Sequence, residues 1–181
     1  MAPGTHALVV GGTGMLRGVV LALAREGPVS VVARTRRDLE ALAREAPSVV
    51  PVPVDYGSRT DLEEVLAGAT AARGPFSLAV AWTHSEAPGA AEAAARFVRG
   101  RFFRVLGSAA ADPSRPDHGR RARFEAIPGV AYHEVTLGLV REGGRSRWLA
   151  DGEIAAGVLE AVAAGRPRAV VGAVGPWGER P

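Results

Sequence analysis

Four small residues, Gly11-Gly12-Thr13-Gly14, follow the apolar run His6–Val10 and precede a segment of apolar residues at helical spacing. Small residues at a strand-to-helix turn let backbone amides approach a pyrophosphate, and a helix N-terminus adds partial positive charge there. In this context the loop, with Met15 after it, reads as a dinucleotide cradle rather than a plain turn. About twenty residues further on, an NAD site usually places Asp or Glu against the ribose hydroxyls. This chain instead reads Ala33-Arg34-Thr35-Arg36-Arg37. Arg34 and Arg36, flanking Thr35, offer a fork suited to a 2′-phosphate, so the pattern points to NADP(H). Basic charge at a helix start opposes the macrodipole, which favours a bound anion over a merely solvated helix start. The next strand runs into Asp55-Tyr56. An acid here can accept from an adenine amino group while the ring flanks the base; capping the turn before Ser58 is the equal alternative for Asp55.

The composition removes whole classes of chemistry. There is no cysteine, and all 22 basic residues are arginine. Disulfides, zinc–thiolate sites, thiol nucleophiles, Schiff bases and a P-loop lysine are therefore impossible. No pair of His, Asp or Glu has ligand spacing on one face, so no metal site is expected. The isoelectric point near 10.4 suggests a nucleic-acid binder. The net charge is only +3, however, and the arginines are interleaved with acids, so no nucleic-acid partner is expected. No apolar run approaches the roughly 20 residues that span a bilayer, and the N-terminus lacks a leader pattern, so the expected location is cytoplasmic, with no membrane partner.

These loops must be held by a sheet. The length of 181 residues suits one domain, residues 1–181. Short β-branched runs at 6–10, 29–33, 49–54, 76–82, 101–107, 130–140 and 168–174 alternate with helical patterns near 14–26, 36–46, 59–72, 87–99, 114–126 and 151–164. Thr35, Ser58 and Asp151 are start signals, and Gly27-Pro28, Pro47, Gly74-Pro75, Gly100 and Gly165 are stops. The alternation predicts a Rossmann-type α/β fold, a doubly wound parallel sheet of about seven strands with helices on both faces. Ligands of such sheets sit beyond the carboxyl ends of the strands.

With the glycine turn, Arg34, Asp55 and the strand ends in view, the chain resembles the short-chain dehydrogenase/reductase superfamily. The likeness runs along nearly the whole chain and is specific in its first 60 residues. Trp82-Thr83-His84 stands where the family has its Asn-Ala-Gly segment along the cofactor. Ser108 falls at the family's catalytic serine, and Leu137-Gly138-Leu139-Val140 resembles the segment lining the nicotinamide. "WLADGEIAAGVLEAV" resembles the late family helix. The resemblance implies NADP(H) as ligand, held in part by Trp82, Gly138 and Val140. It implies hydride transfer between NADP(H) and a small carbonyl or alcohol as the reaction. The family's acid, a tyrosine with a lysine four residues on, has no counterpart, because the chain holds no lysine and no tyrosine follows Ser108 before Tyr132. Arg17 stands at the family's third glycine, with Gly18 next to it, which puts close helix packing there in question.

A reductase still needs a proton donor within hydrogen-bond reach of the substrate oxygen. Ser108 as oxygen-orienting donor and His84 as acid are the best-placed candidates, each just past a strand end. His118 lies in the polar stretch "DPSRPDHGRR", which reads as surface loop. Tyr132 and His133 begin a strand, at the wrong end for chemistry. Arg145, Arg147 and Trp148 together could grip an anionic or planar substrate, although packing of Trp148 on the last helix is the simpler expectation. The reading is an NADP(H)-dependent oxidoreductase with a non-standard proton donor and a small-molecule substrate; the alternative is a non-catalytic NADP(H) sensor. The apolar tail "VVGAVGPWG" makes a homo-oligomer plausible.

Overall fold

The computed structural model describes residues 6–87, 89–112, 114 and 117–175. Its main sheet has seven parallel strands: β1 Ala7–Val10, β2 Val29–Ala33, β3 Val49–Pro53, β4 Phe76–Ala81, β5 Val98–Leu106, β6 Val130–Leu137 and β9 Arg168–Val171. Their order is β3-β2-β1-β4-β5-β6-β9. The order reverses between β1 and β4, which opens a crevice beyond their carboxyl ends. The inner strands are buried on both faces, as continuous runs such as Ala7–Val10 require. On one face α1 Arg17–Ala24, α2 Arg36–Glu45 and α6 Asp151–Ala164 pack Val19, Leu39 and Val158 against Val9, Val31 and Val80. On the other, α3 Arg59–Arg73, α4 Ala90–Ala95 and α5 Arg120–Glu125 bury Leu62, Ala94 and Phe124 against Leu8, Phe76 and Phe102.

Several boundaries differ from the sequence pattern. The first helix begins at Arg17 rather than residue 14, because Gly14 to Leu16 continue the loop in turns, closed by Arg17 N donating to the Gly14 carbonyl at 2.8 Å. The alanine-rich fourth helix covers only Ala90–Ala95, and β5 has already begun at Val98. Gly100 allows that early start: a Cβ there would lie 2.1 Å from the Ser77 carbonyl oxygen. Residues 114–126 supply only the short α5, preceded by a 3-10 turn over Ser108–Ala111. The last helix is capped from Ala150, with Asp151 inside its first turn.

The largest departure is at 130–140. That run is two strands, not one. At Gly138 the chain passes so close to β9's continuation that a Cβ would meet the Ala173 carbonyl oxygen at 2.1 Å. It then leaves the sheet as a hairpin, β7 Leu139–Glu142 and β8 Arg145–Trp148. Gly143 and Gly144, with φ of +57° and +75°, make the tight turn that left-handed residues favour. The late strand covers Arg168–Val171, and the tail from Pro176 onward lies outside the described residues.

Candidate functional site

The glycine loop leaves β1 at the crevice, and its glycines do different work. Gly11 has a φ of +77°, and a Cβ there would stand 2.6 Å from the Trp82 carbonyl oxygen, so the loop is pressed against the end of β4. Gly12 is buried, with a virtual Cβ 2.6 Å from Val31 and 2.8 Å from Val20; it lets the loop and α1 settle onto the sheet. Gly14 faces open space, with no atom within 4 Å of a virtual Cβ. Gly18 lets α1 lie against α6, where a Cβ at this position would stand 2.7 Å from the Ala155 Cβ. Close packing thus survives the arginine at position 17. Arg17 itself forms an ion pair with Glu45 at the end of α2.

Two cavities meet at the carboxyl ends of the strands. The first, of about 320 Å³, is lined by Gly11, Thr13, Gly14, Met15, Ala33, Arg34, Thr35, Tyr56, Trp82 and His84. Its only full formal charge is Arg34, which forms no hydrogen bond or ion pair among the described residues. Tyr56 is buried, and its ring lies 6.5 Å from that of His84 with planes 23° apart. The Trp82 indole meets His84 edge-on at 6.3 Å. Thr83, between them in sequence but not in the cavity lining, is buried with its hydroxyl unpartnered. An anion-ready arginine and a loop held tight by Gly11 and Gly12 fit a phosphorylated dinucleotide.

Not every expected residue lines this cavity. Arg36 is exposed on the first turn of α2, outside the lining, so the fork reduces to Arg34 beside Thr35. Asp55 is exposed and accepts from Gly57 N at 2.9 Å, the turn-capping alternative. Gly12 acts from beneath.

The second cavity, of about 280 Å³, shares Met15 and Trp82 with the first and adds Gly107, Ser108, Leu137, Gly138, Trp148, Leu149 and Ile154. Ser108 opens the 3-10 turn after β5 and is buried, yet its hydroxyl has no hydrogen-bond partner among the described residues. Val140 pairs with Arg147 in the hairpin and is not part of this lining.

Ser108 and His84 are not brought together. Each lines its own cavity, with Trp82 between them. The other titratable candidates lie further away. Tyr132 donates to Glu134 at 3.1 Å and stacks on Phe124; burial, with the Glu134 carboxylate beside it, pushes its phenol far above the ordinary value. His133 stacks on Phe103 at 4.4 Å and its Nδ1 lies 2.9 Å from the Arg166 carbonyl oxygen. His118 borders a separate, charged hollow with Arg120 and Glu134; part of its loop (Pro113, Arg115 and Pro116) lies outside the described residues.

Trp148 corrects a sequence expectation. Rather than being packed away on α6, its side chain is 52% exposed, and it forms one wall of the second cavity. Its position is fixed from behind. Arg147 donates to both Glu153 carboxylate oxygens, at 2.7 and 2.9 Å, and Glu153 also accepts from Ala150 N at 2.8 Å. Those bonds hold the Glu153 carboxyl down at about 2. Arg147 is therefore engaged and does not face a ligand. Among the described residues, no group of three or more metal-ligating side chains gathers, and no helix is long and apolar enough to cross a membrane.

Solved structures share this architecture. A short-chain dehydrogenase/reductase family oxidoreductase from Aeromonas hydrophila superposes with a TM-score of 0.70 at 19% identity, covering 93% of this chain and 98% of that one. An actinorhodin polyketide ketoreductase with NADPH gives a TM-score of 0.72 at 16% identity, over 95% of this chain and 98% of that one. The fold is that of the short-chain dehydrogenases/reductases. In sequence, mouse L-xylulose reductase is 44% identical over 79 residues, 42% of this chain and 31% of that protein. Chicken D-erythrulose reductase is 42% identical over 79 residues, 42% of this chain and 30% of that protein. The match thus spans about a third of the length of these curated relatives. No family model matches the chain. The chain thus shares its fold with these solved structures, and a stretch of 79 residues is similar in sequence to these reductases.

Proposed function

We propose that the protein binds NADP(H) across the two cavities and exchanges hydride with a small carbonyl or alcohol beside Ser108. The observation that carries this reading is the unpaired Arg34 in an acid-free lining next to the glycine loop. A diester pyrophosphate and a 2′-phosphate both gain from such a site, whereas an NAD ribose finds no carboxylate there. Gly11, Thr13 and Gly14 would hold the pyrophosphate, Arg34 and Thr35 the 2′-phosphate, and Tyr56 the adenine side. Met15, Trp82 and Gly138 would line the nicotinamide side. A reduced nicotinamide supplies a hydride, two electrons and a proton delivered together. The chain's part is to hold the acceptor carbonyl, with Ser108 donating a hydrogen bond to its oxygen, and to keep the apolar cavity dry.

A second reading, an NADP(H) sensor without turnover, draws on one observation: no titratable side chain among the described residues lines the Ser108 cavity. Fluorescence titration with NADPH, followed by turnover on a carbonyl panel with wild type and Ser108→Ala, separates the two. Binding with Ser108-dependent turnover supports the oxidoreductase; binding without turnover on any substrate supports the sensor. Failure to bind NADPH, or undiminished binding by Arg34→Ala/Arg36→Ala, contradicts both.

A further inference from the structure

The Ser108 cavity combines three properties. Two indoles, Trp82 and Trp148, line it together with Met15, Leu137, Leu149 and Ile154. Trp148 leaves about half its surface, 52%, open to solvent while its backbone hairpin is clamped to α6 through Arg147 and Glu153. Among the described residues the lining offers one side-chain hydroxyl, Ser108, and no acid or base. From these properties, and resting on the NADP(H) reading above, we propose that the cavity is built for a flat, conjugated dicarbonyl acceptor, a quinone, rather than for an isolated ketone or aldehyde.

The chemistry follows from where the charge goes. A saturated ketone that accepts hydride becomes a localised alkoxide, which must be protonated as it forms, so its reduction calls for a general acid within hydrogen-bond reach. A quinone that accepts hydride at its conjugated system becomes a hydroquinone monoanion. Its charge is spread over the ring, and its conjugate acid is a phenol with a pKa of about 10. The two electrons and first proton arrive as hydride from the reduced nicotinamide, which is oxidised. Water supplies the second proton after the transfer, completing the hydroquinone. A single neutral donor such as the Ser108 hydroxyl suffices to hold the acceptor oxygen. Flat rings also gain from indole faces through offset stacking, which a puckered saturated ketone cannot match.

The test uses the full chain, with 1,4-naphthoquinone and the saturated-ring ketone 2-decalone as probes; the absence of cysteine removes thiol addition to the quinone. Calorimetry without cofactor reads the slot alone. Naphthoquinone should bind, Trp148→Ala should weaken it about 10-fold, and Trp148→Phe should retain most of the affinity. With NADPH, naphthoquinone should be reduced at least about 100-fold more efficiently than decalone. Its kcat should be flat between about pH 6 and 9, since no lining group titrates there. Equal turnover of decalone, quinone binding indifferent to Trp148→Ala, no turnover of naphthoquinone by an NADPH-loaded enzyme, or a kcat that titrates like a histidine would each overturn the proposal. Failure to bind NADPH would instead strike the cofactor reading, and calorimetry on the slot reports independently of it.

Discussion

On one side of Trp82 the lining is glycine backbone, an unpaired arginine and the rings of Tyr56 and His84; on the other it is two indoles, four aliphatic or thioether side chains and a serine. The cavities are similar in volume and share Met15 and Trp82. The first gathers the glycine loop and the residues that follow β2, β3 and β4, with one charge, Arg34. The second gathers residues at the ends of β5 and β6, from α6 and from a hairpin, and its lining is mostly apolar. Backbone cradles tolerate little substitution, whereas side-chain walls can change without disturbing the sheet. On the proposed reading, the cofactor half is the one held by the fold and the acceptor half the one open to redesign.

That contrast can be broken first at Gly12. Its virtual Cβ lies within 3 Å of both Val31 and Val20, so Gly12→Val should overpack the core by about 3 kcal/mol and lower Tm by roughly 6–12 °C. Gly14→Ala, facing open space, should leave Tm almost unchanged while weakening NADPH binding. Thermal melts of the two variants check the difference; equal melting points would mean that the loop is not seated on the sheet as described.

In the second cavity the effect should fall on turnover instead. Ser108→Ala should lower kcat about 100-fold, the scale of losing one oxygen-stabilising donor, with NADPH affinity and Tm preserved. Steady-state kinetics beside a fluorescence titration reads both. A variant that loses NADPH affinity and keeps kcat would place Ser108 on the wrong side of Trp82.

The smallest effect lies away from both cavities, at the amino end of the sheet. His6 is buried against Phe76, with Nε2 2.8 Å from the Ser30 hydroxyl, and burial lowers its pKa below the ordinary 6.5. The unfolded chain therefore takes up this proton first. The neutral histidine costs no stability above about pH 6.5, and stability falls as pH drops below that value, levelling once the folded-state histidine is also protonated. Chemical denaturation at pH 7.5 and 5.5 should show this loss, reduced in His6→Gln. A loss unchanged in the variant would assign it to other groups.

How much of this was legible in the sequence follows the same division. The glycine turn, Arg34, Tyr56 and Trp82 are all set by what immediately precedes them, a strand ending at the crevice, so one-dimensional reading places them in one cavity. Asp55 and Arg36 share that neighbourhood but not the cavity, because one side chain turns back to cap Gly57 and the other follows the helix. His84 and Ser108 line two adjacent hollows that share Trp82, a division that no spacing in the sequence encodes. The start of the hairpin was hidden at the end of the strand pattern over residues 130–140. Gly143-Gly144 was its signal, and the close approach at Gly138 that turns the chain outward is a contact with residues 35 positions away, at Ala173. Trp148 could be recognised as a wall only once that hairpin existed.

Arg34 is the group proposed to select the cofactor. Calorimetric titration of wild type and Arg34→Ala with NADPH and with NADH tests it most directly. The wild type should prefer NADPH by at least about 10-fold, as expected for a charge-assisted phosphate contact, and Arg34→Ala should lose that preference while binding NADH unchanged. Equal affinity of the wild type for the two cofactors, or a preference that survives in Arg34→Ala, would contradict it.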